Sequence, residues 1–194
     1  MIFSKFPFEG EPTFITFGQR AGIEHWTSKG ALRCSIRIDQ NLPPLTVVNT
    51  HLQCGSGGDA AKRVRLSQLD HIRSSLLDGV DNLLLAGDFN ICARNDPDDY
   101  TAMCARLAPI RDLLVEDLRG QGLSERSRPV TIGCSGLHPD LPPDESLDYL
   151  LLRAPPSPPG PAGGAAWDYV PGSAAVVQLA ASGAEWGVSP RRAC

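Results

Sequence analysis

Leu83-Leu84-Leu85-Ala86-Gly87-Asp88-Phe89-Asn90 decides how this chain is read. The short, unbroken apolar run ending in glycine fits a strand buried on both faces at the centre of a sheet. Asp88 and Asn90 follow it at i and i+2. If the chain stays extended, both project to one side and Phe89 turns into the core. A carboxylate and a carboxamide would then stand together at the C-terminal end of a strand, where α/β folds place their sites. The carboxylate can accept a proton or a cation and the amide can hold an oxygen, which suits chemistry at a phosphate. Spacing alone equally allows an Asx-type turn that closes the strand.

Upstream, the apolar positions Val64, Leu66, Leu69, Ile72, Leu76 and Leu77 recur at helical spacing between Ala60 and Leu77, with charged and amide residues between them. This predicts an amphipathic helix packed on a sheet and closed by Asp78-Gly79. Before it, Gly30 to Asp39 alternates apolar and polar residues, and Leu45 to Thr50 is β-branched. Around the turn at Asn41 to Pro44 they predict an antiparallel hairpin. Residues 1–25 show no period and read as a strand end and a loop. Strand, helix, strand in this order predicts an α/β domain.

Downstream the signals weaken. Residues 99–118 predict one helix with Asp112-Leu113-Leu114 inside it. Val130-Thr131-Ile132 and Leu147 to Leu152 predict strands. The tract Ala154 to Ala166 is proline, glycine, alanine and serine with nothing to bury, so it predicts an extended or disordered insertion. One further strand is expected around Ala174 to Leu179. The division is therefore 1–153 for the main part of a domain, 154–166 for the insertion and 167–194 for a divergent C-terminal part.

Two other positions share the strand-end logic. His51 follows the Leu45–Thr50 strand as Asp88 follows the next one. If the two strands are neighbours, imidazole, carboxylate and amide converge on one sheet edge, where the imidazole could bind or protonate a phosphate oxygen. Asp148 opens the last apolar strand, a place suited to an acid that orients a histidine or a loop. A structural histidine and a strand-entry solvating acid are the plainer alternatives.

Bulk properties narrow the field. At 194 residues and 42% hydrophobic the chain is long enough for one domain with a core. Its 18 basic and 22 acidic residues give a net charge of −4, so no basic field spreads over the molecule and no stable nucleic-acid complex is expected. Six scattered cysteines without a C-x-x-C pair argue against a zinc knuckle and for reduced thiols. No apolar run approaches a membrane span, and Met1 to Pro7 lacks the core of a signal peptide. The expected location is cytoplasmic for the chain as given.

Four segments in order resemble the endonuclease/exonuclease/phosphatase superfamily: Thr50-His51-Leu52, Arg65 with Gln68-Leu69, Gly87-Asp88-Phe89-Asn90, and Leu147-Asp148-Tyr149-Leu150. The resemblance runs from about Ile2 to Leu152. It implies a four-layer α/β sandwich, two mixed sheets face to face with helices outside. Ile2 to Pro7 is similar to the family's Ser-basic-aromatic-Pro turn. Ser28-Lys29-Gly30-Ala31-Leu32 and Thr50-His51-Leu52-Gln53 resemble segments of neutral sphingomyelinases. The resemblance implies a metal-dependent phosphodiesterase with His51, Asp88 and Asn90 catalytic, Asp148 behind them, Lys29 on the substrate and Mg2+ as cofactor. A phospholipid headgroup is among the implied substrates, and with it a peripheral membrane contact. A nuclease or phosphatase of the same fold and a catalytically dead interaction module are the alternatives.

The family's metal-binding Asn and Glu precede the Ser-basic-aromatic-Pro turn, so the metal ligands are expected outside this chain, which would be incomplete at its N-terminus. The family's final Ser-Asp-His, with its general base, has no counterpart. No histidine follows His138, and the comparable place reads Val188-Ser189-Pro190-Arg191-Arg192. Neither Glu24 nor Glu185 lies where it would replace the family glutamate. Impaired catalysis is the expectation.

Overall fold

The computed structural model describes residues 1–55, 58–131, 145–153, 178–182 and 185–189. Its centre is a six-stranded mixed sheet in the order β1-β2-β3-β4-β6-β5. The strands are β1 (Phe8–Thr16), β2 (Gly30–Ile36), β3 (Leu45–His51), β4 (Leu83–Asp88), β5 (Arg111–Asp112) and β6 (Asp148–Arg153). As expected, β2 and β3 pair antiparallel. β3 then crosses over through α1 (Asp59–Ile72) to run parallel to β4, and β6 joins β4 antiparallel. A separate pair, β7 (Gln178–Ser182) and β8 (Glu185–Ser189), is antiparallel. The architecture is α/β, with one of the two implied large sheets formed by the described residues.

Register sorts the sheet into two faces. Val48, Leu85 and Leu151 lie side by side, as do Thr50, Gly87 and Tyr149. This face carries the core, where Val48, Leu83, Leu85 and Leu151 pack with Leu69 and Ile72 of α1 and with Met103 and Leu107 of α2 (Pro97–Leu107). Leu69, Ile72, Leu83, Leu85 and Met103 are completely buried, each worth about 1.5–3 kcal/mol of transfer free energy. The predicted helix to Leu77 does reach that residue, but from Arg73 onward it widens into a π-helical turn before Gly79 closes it with φ 74°.

Three expectations are corrected. Residues 1–25 contain a full edge strand, β1, in place of a strand end and loop; its register breaks between Glu9 and Thr13, which is where Gly10 and Pro12 hide the alternation. The single helix over 99–118 is two. Pro109 disfavours helical backbone at Ala108, the chain extends through β5, and α3 (Leu113–Gly120) restarts with Asp112 as its N-cap, its side chain accepting the Val115 N–H. Val130 and Thr131 are not in a strand, and Ile132 lies outside the described residues. Thr131 instead bonds to the segment entering β6, donating its N–H to the Glu145 carbonyl. Of the expected strand at 174–179, only Gln178 and Leu179 are described, at the start of β7. The Ala154–Ala166 insertion lies outside the described residues.

At Gly87, β4 lies close against the main chain of β3. The φ of this glycine is 135°, and a Cβ there would collide with the Thr50 carbonyl. Gly79 also has positive φ, but open space surrounds it. Gly87→Ala is expected to cost about 2–3 kcal/mol, a fall of roughly 5–10 °C in thermal denaturation. Gly79→Ala should cost only about 1 kcal/mol. Equal losses would show that the close approach is unimportant.

Candidate active site

The parallel register of β3 on β4 sets Thr50 opposite Gly87 and His51 opposite Asp88, and β6 sets Asp148 opposite Asp88 on the other side. His51 is therefore the last residue of its strand, beside Asp88 in the same sheet edge. His51 Nε2 is 3.6 Å from Asp88 Oδ2, with the imidazole more than half exposed and the carboxylate mostly covered.

Asn90 does not continue the strand as its spacing suggested. It adopts left-handed backbone with φ 52°, a conformation that asparagine tolerates better than most residues. Its N–H donates to Asp88 Oδ1 at 2.8 Å, so the Asx turn allowed by the spacing is present. Phe89, as expected, is completely buried. The turn redirects the Asn90 side chain, whose Nδ2 donates to the Leu52 carbonyl at 3.0 Å. In return the Leu52 N–H donates to the Asp88 carbonyl at 2.9 Å. The segments leaving β3 and β4 are thus tied to each other in both directions.

Lys29 reaches the same place from the entrance of β2. Its ammonium donates to the Leu52 carbonyl at 2.6 Å, the acceptor that Asn90 uses. It also pairs with Glu24 at 2.5 Å, and both side chains are nearly covered. The other Glu24 oxygen accepts the Cys54 N–H at 2.8 Å. Glu24 does not stand where it would replace the family glutamate; the structure places it at the rim of the site as the counter-ion of Lys29. A five-residue separation inside an aperiodic segment carries no signal for that pairing.

Buried guanidinium groups support both sides of this edge. Arg65 on α1 pairs with Asp99 at 2.7 Å and donates to the carbonyls of Gln53 and Gly55. Gln68, one turn on, accepts the Gln53 N–H at 2.8 Å. The Arg65 and Gln68 of the sequence pattern are therefore clamps on the segment that follows His51. On the other side, Arg128 pairs with Asp112 at 2.6 Å, donates to Ser146 Oγ and to the Asp148 carbonyl, and lies 4.2 Å from the Tyr149 ring centre. The Tyr149 hydroxyl donates to the Ile91 carbonyl at 2.7 Å, and Leu147 accepts the Phe89 N–H.

Asp148 contributes its backbone to these ties, while its residue is exposed and its carboxylate makes no hydrogen bond among the described residues. Its charge acts on Asp88. Burial pushes the Asp88 carboxyl above the ordinary aspartate range and Asp148 adds to that; the Asn90 N–H, His51 and Lys29 pull it back. Glu145 is raised too, by burial and then by the charge of Asp88. It is a neighbour that no sequence pattern marked.

No family model matches this chain, and no curated protein does. Solved structures do. Sphingomyelinase C from Streptomyces griseocarneus superposes with a TM-score of 0.58 at 22% identity, over 77% of this chain and 50% of that one. Staphylococcus aureus beta toxin, in a structure with bound magnesium ions, gives 0.56 at 18% identity over the same shares. An endonuclease/exonuclease/phosphatase protein from Beutenbergia cavernae gives 0.51 at 18%, over 79% of this chain and 39% of that one. The likeness is one of fold, and this chain spans half or less of the length of these neighbours.

A raised carboxyl pKa means that the folded chain holds the Asp88 proton more tightly than the unfolded one. The stability that this proton contributes is complete below the unfolded value of about 3.9 and is lost as pH rises through the higher folded value. At neutral pH the ionised group is a burden. Asn in its place still offers an oxygen to the Asn90 N–H, so Asp88→Asn should melt a few degrees higher than the parent at about pH 7.5, with the gap closing toward about pH 4. A gap independent of pH in calorimetric melts would contradict this account.

Proposed function

We propose, from the endonuclease/exonuclease/phosphatase fold of this chain as premise, that the edge formed by His51, Asp88, Asn90 and Lys29 is the phosphate-handling part of a phosphodiester hydrolase of sphingomyelinase type. One observation carries the reading: parallel neighbouring strands end in an imidazole and a carboxylate 3.6 Å apart, with an amide and an ammonium fixed on a shared carbonyl beside them. This places proton donors and a positive charge on one side of a small polar edge, as binding a phosphoryl oxygen requires.

The roles follow from what each group has left to offer. His51, more than half exposed and 3.6 Å from the Asp88 carboxylate, can donate from Nε2 to a phosphate oxygen. Asn90 spends one amide hydrogen on Leu52 and keeps a second N–H and its carbonyl oxygen. Lys29 has used two of its three donors, on Glu24 and Leu52, so its part is a fixed charge with one remaining hydrogen. Asp148 serves electrostatically, as the acid that keeps Asp88 from ionising too readily.

These residues do not by themselves fit magnesium. One Asp88 oxygen takes the Asn90 N–H and the other faces His51. Among the described residues no three His, Cys, Asp or Glu side chains converge as ligands. No step is therefore routed through a metal. A water-activating histidine is also missing from the C-terminal part of the sequence, so the chain should bind phosphate esters far better than it cleaves them.

Phosphocholine and inorganic phosphate, titrated by NMR, should both perturb His51, and His51→Ala and Lys29→Ala should each weaken binding by about tenfold. Single-stranded DNA should not displace phosphocholine. With magnesium present, turnover of a soluble phosphodiester should fall on the order of 10³-fold or more below that of sphingomyelinase C assayed alongside. Robust turnover that Asp88→Ala abolishes would refute the claim of impaired catalysis; absence of any phosphate binding would refute the site.

A further inference from the structure

We infer that the Lys29 ammonium and the Cys54 N–H form an oxyanion cradle at the rim of the site, kept shut by the Glu24 carboxylate, which a phosphate ester displaces when it binds. This rests on the phosphate-handling reading of the edge and names the step by which the ligand enters.

Glu24 is held as an anionic ligand would be. One of its oxygens takes the Lys29 ammonium at 2.5 Å, and the other takes the Cys54 N–H at 2.8 Å. A cation and a main-chain N–H aimed at two oxygens of one anion can hold a phosphoryl group as well as a carboxylate. The cradle adjoins the candidate site directly. Lys29 and the Asn90 amide donate to the same Leu52 carbonyl, and Cys54 follows three residues after His51. With Glu24 in place the cation is neutralised, and Asp88 and Asp148 occupy the adjoining strand ends. An incoming phosphate would meet carboxylates and a neutralised lysine. Once Glu24 leaves, Lys29 regains a second donor hydrogen and the Cys54 N–H is free. The rim then has a full positive charge beside the N–H that Asn90 still offers.

The construction of the turn allows that departure. Glu24 sits in a 3-10 turn, Gly22–Trp26. Both flanks are anchored: Ala21 exchanges two hydrogen bonds with the buried Gln53 side chain, and the Lys29 carbonyl accepts the Phe17 N–H as β2 begins. Between these anchors, Thr27 bonds to the Glu24 carbonyl and would travel with it, and Trp26 stands exposed. The ion pair that braces the neighbouring segment is sealed, with the Arg65 and Asp99 side chains 3% and 2% accessible. Lys29 and Glu24 are 12% and 13% accessible, so solvent and solutes reach them. Gly22 opens the turn at φ 58°, with free space where a Cβ would stand. Glycine enters and leaves that left-handed conformation at little cost, as a hinge must.

Binding of inorganic phosphate and of phosphocholine to the full chain, followed by amide NMR, tests the cradle. In the parent, either ligand should shift the Cys54 amide resonance. Glu24→Gln keeps the size of the side chain and removes the competing charge, so it should bind both ligands about tenfold more tightly. Gly22→Ala alters no charge; by straining the closed turn it should tighten binding about fivefold. In a Lys29→Ala background the gain from Glu24→Gln should vanish. Glu9→Gln, which removes an acid paired with Arg37 at the far end of the sheet, should change nothing. Weaker binding by Glu24→Gln would make Glu24 a strut that positions Lys29 and would overturn the inference. An equal gain from Glu9→Gln, or a Cys54 resonance indifferent to ligand, would do the same. Should Glu24→Gln fail to fold, Gly22→Ala decides: tighter binding supports the cradle and unchanged or weaker binding refutes it. No binding by any of these chains would overturn the phosphate reading together with the cradle, whereas binding by the parent without a gain in Glu24→Gln overturns the cradle alone.

Discussion

The backbone of Gly87 passes so close to the Thr50 carbonyl that no side chain fits between them, and everything at the candidate site depends on that approach. Strands in a sheet lie about 4.8 Å apart, which brings opposed side chains near each other but does not decide which ones. The register does: Thr50 on Gly87 fixes His51 on Asp88. A slip of one residue would turn the imidazole or the carboxylate to the helix-covered face. The Leu52 to Asp88 and Asn90 to Leu52 bonds then carry the same alignment past the strand ends.

Strand ends would be free to wander without further support, and two buried ion pairs supply it. Arg65 and Arg128 are almost inaccessible to water, yet each spends part of its guanidinium on main-chain carbonyls next to the site, Gln53 and Gly55 for one and Asp148 for the other. A buried ion pair is a poor source of net stability, since desolvation offsets most of the attraction. Its planar fork of donors can nevertheless hold several acceptors in one geometry. The distribution of their bonds accounts for these arginines better as alignment devices than as contributions to stability. Tyr149 has a comparable part: stacked with Tyr100 and edge-on to Phe89, it hands its hydroxyl to Ile91 just beyond the Asx turn.

How much of this could be read from the sequence depended on whether local pattern or tertiary contact decided the outcome. The β2–β3 hairpin, α1 and β4 were legible because their alternation or helical period is uninterrupted. So was the convergence of His51 with Asp88, which needs only that consecutive strand ends be neighbours. β1 was not, because Gly10 and Pro12 break its alternation and the strand survives by pairing with β2. The break between α2 and α3 was obscured by apolar residues that keep a helical look across Pro109. The conformation of Asn90 was left open, because extended and left-handed backbone both satisfy an i, i+2 spacing, and only the bond to Asp88 separates them. Glu24 was invisible as the partner of Lys29, since a 3-10 turn folds it back across a distance that no periodic pattern predicts.

The two faces of the sheet explain why these groups gather where they do. Helices seal one face, and the side chains aimed at it, Val48, Leu85 and Leu151, are buried beyond reach of solvent. Ionisable groups there would need partners as complete as those of Arg65. The opposite face is more accessible, with Leu150 and Phe14 partly in solvent, so His51 and Asp148 remain hydrated at its edge while Asp88 between them is mostly covered. Asp88 is thus the one acid of its row in conflict with its surroundings: raised by burial and by Asp148, lowered by Asn90, His51 and Lys29. A carboxylate at ease in water would have no need of an ammonium, an imidazole and a backbone N–H around it. That Asp88 is surrounded by them, with strand register fixing His51 and Asp148 on either side of it, is the strongest physical reason to regard this edge as more than a strand terminus.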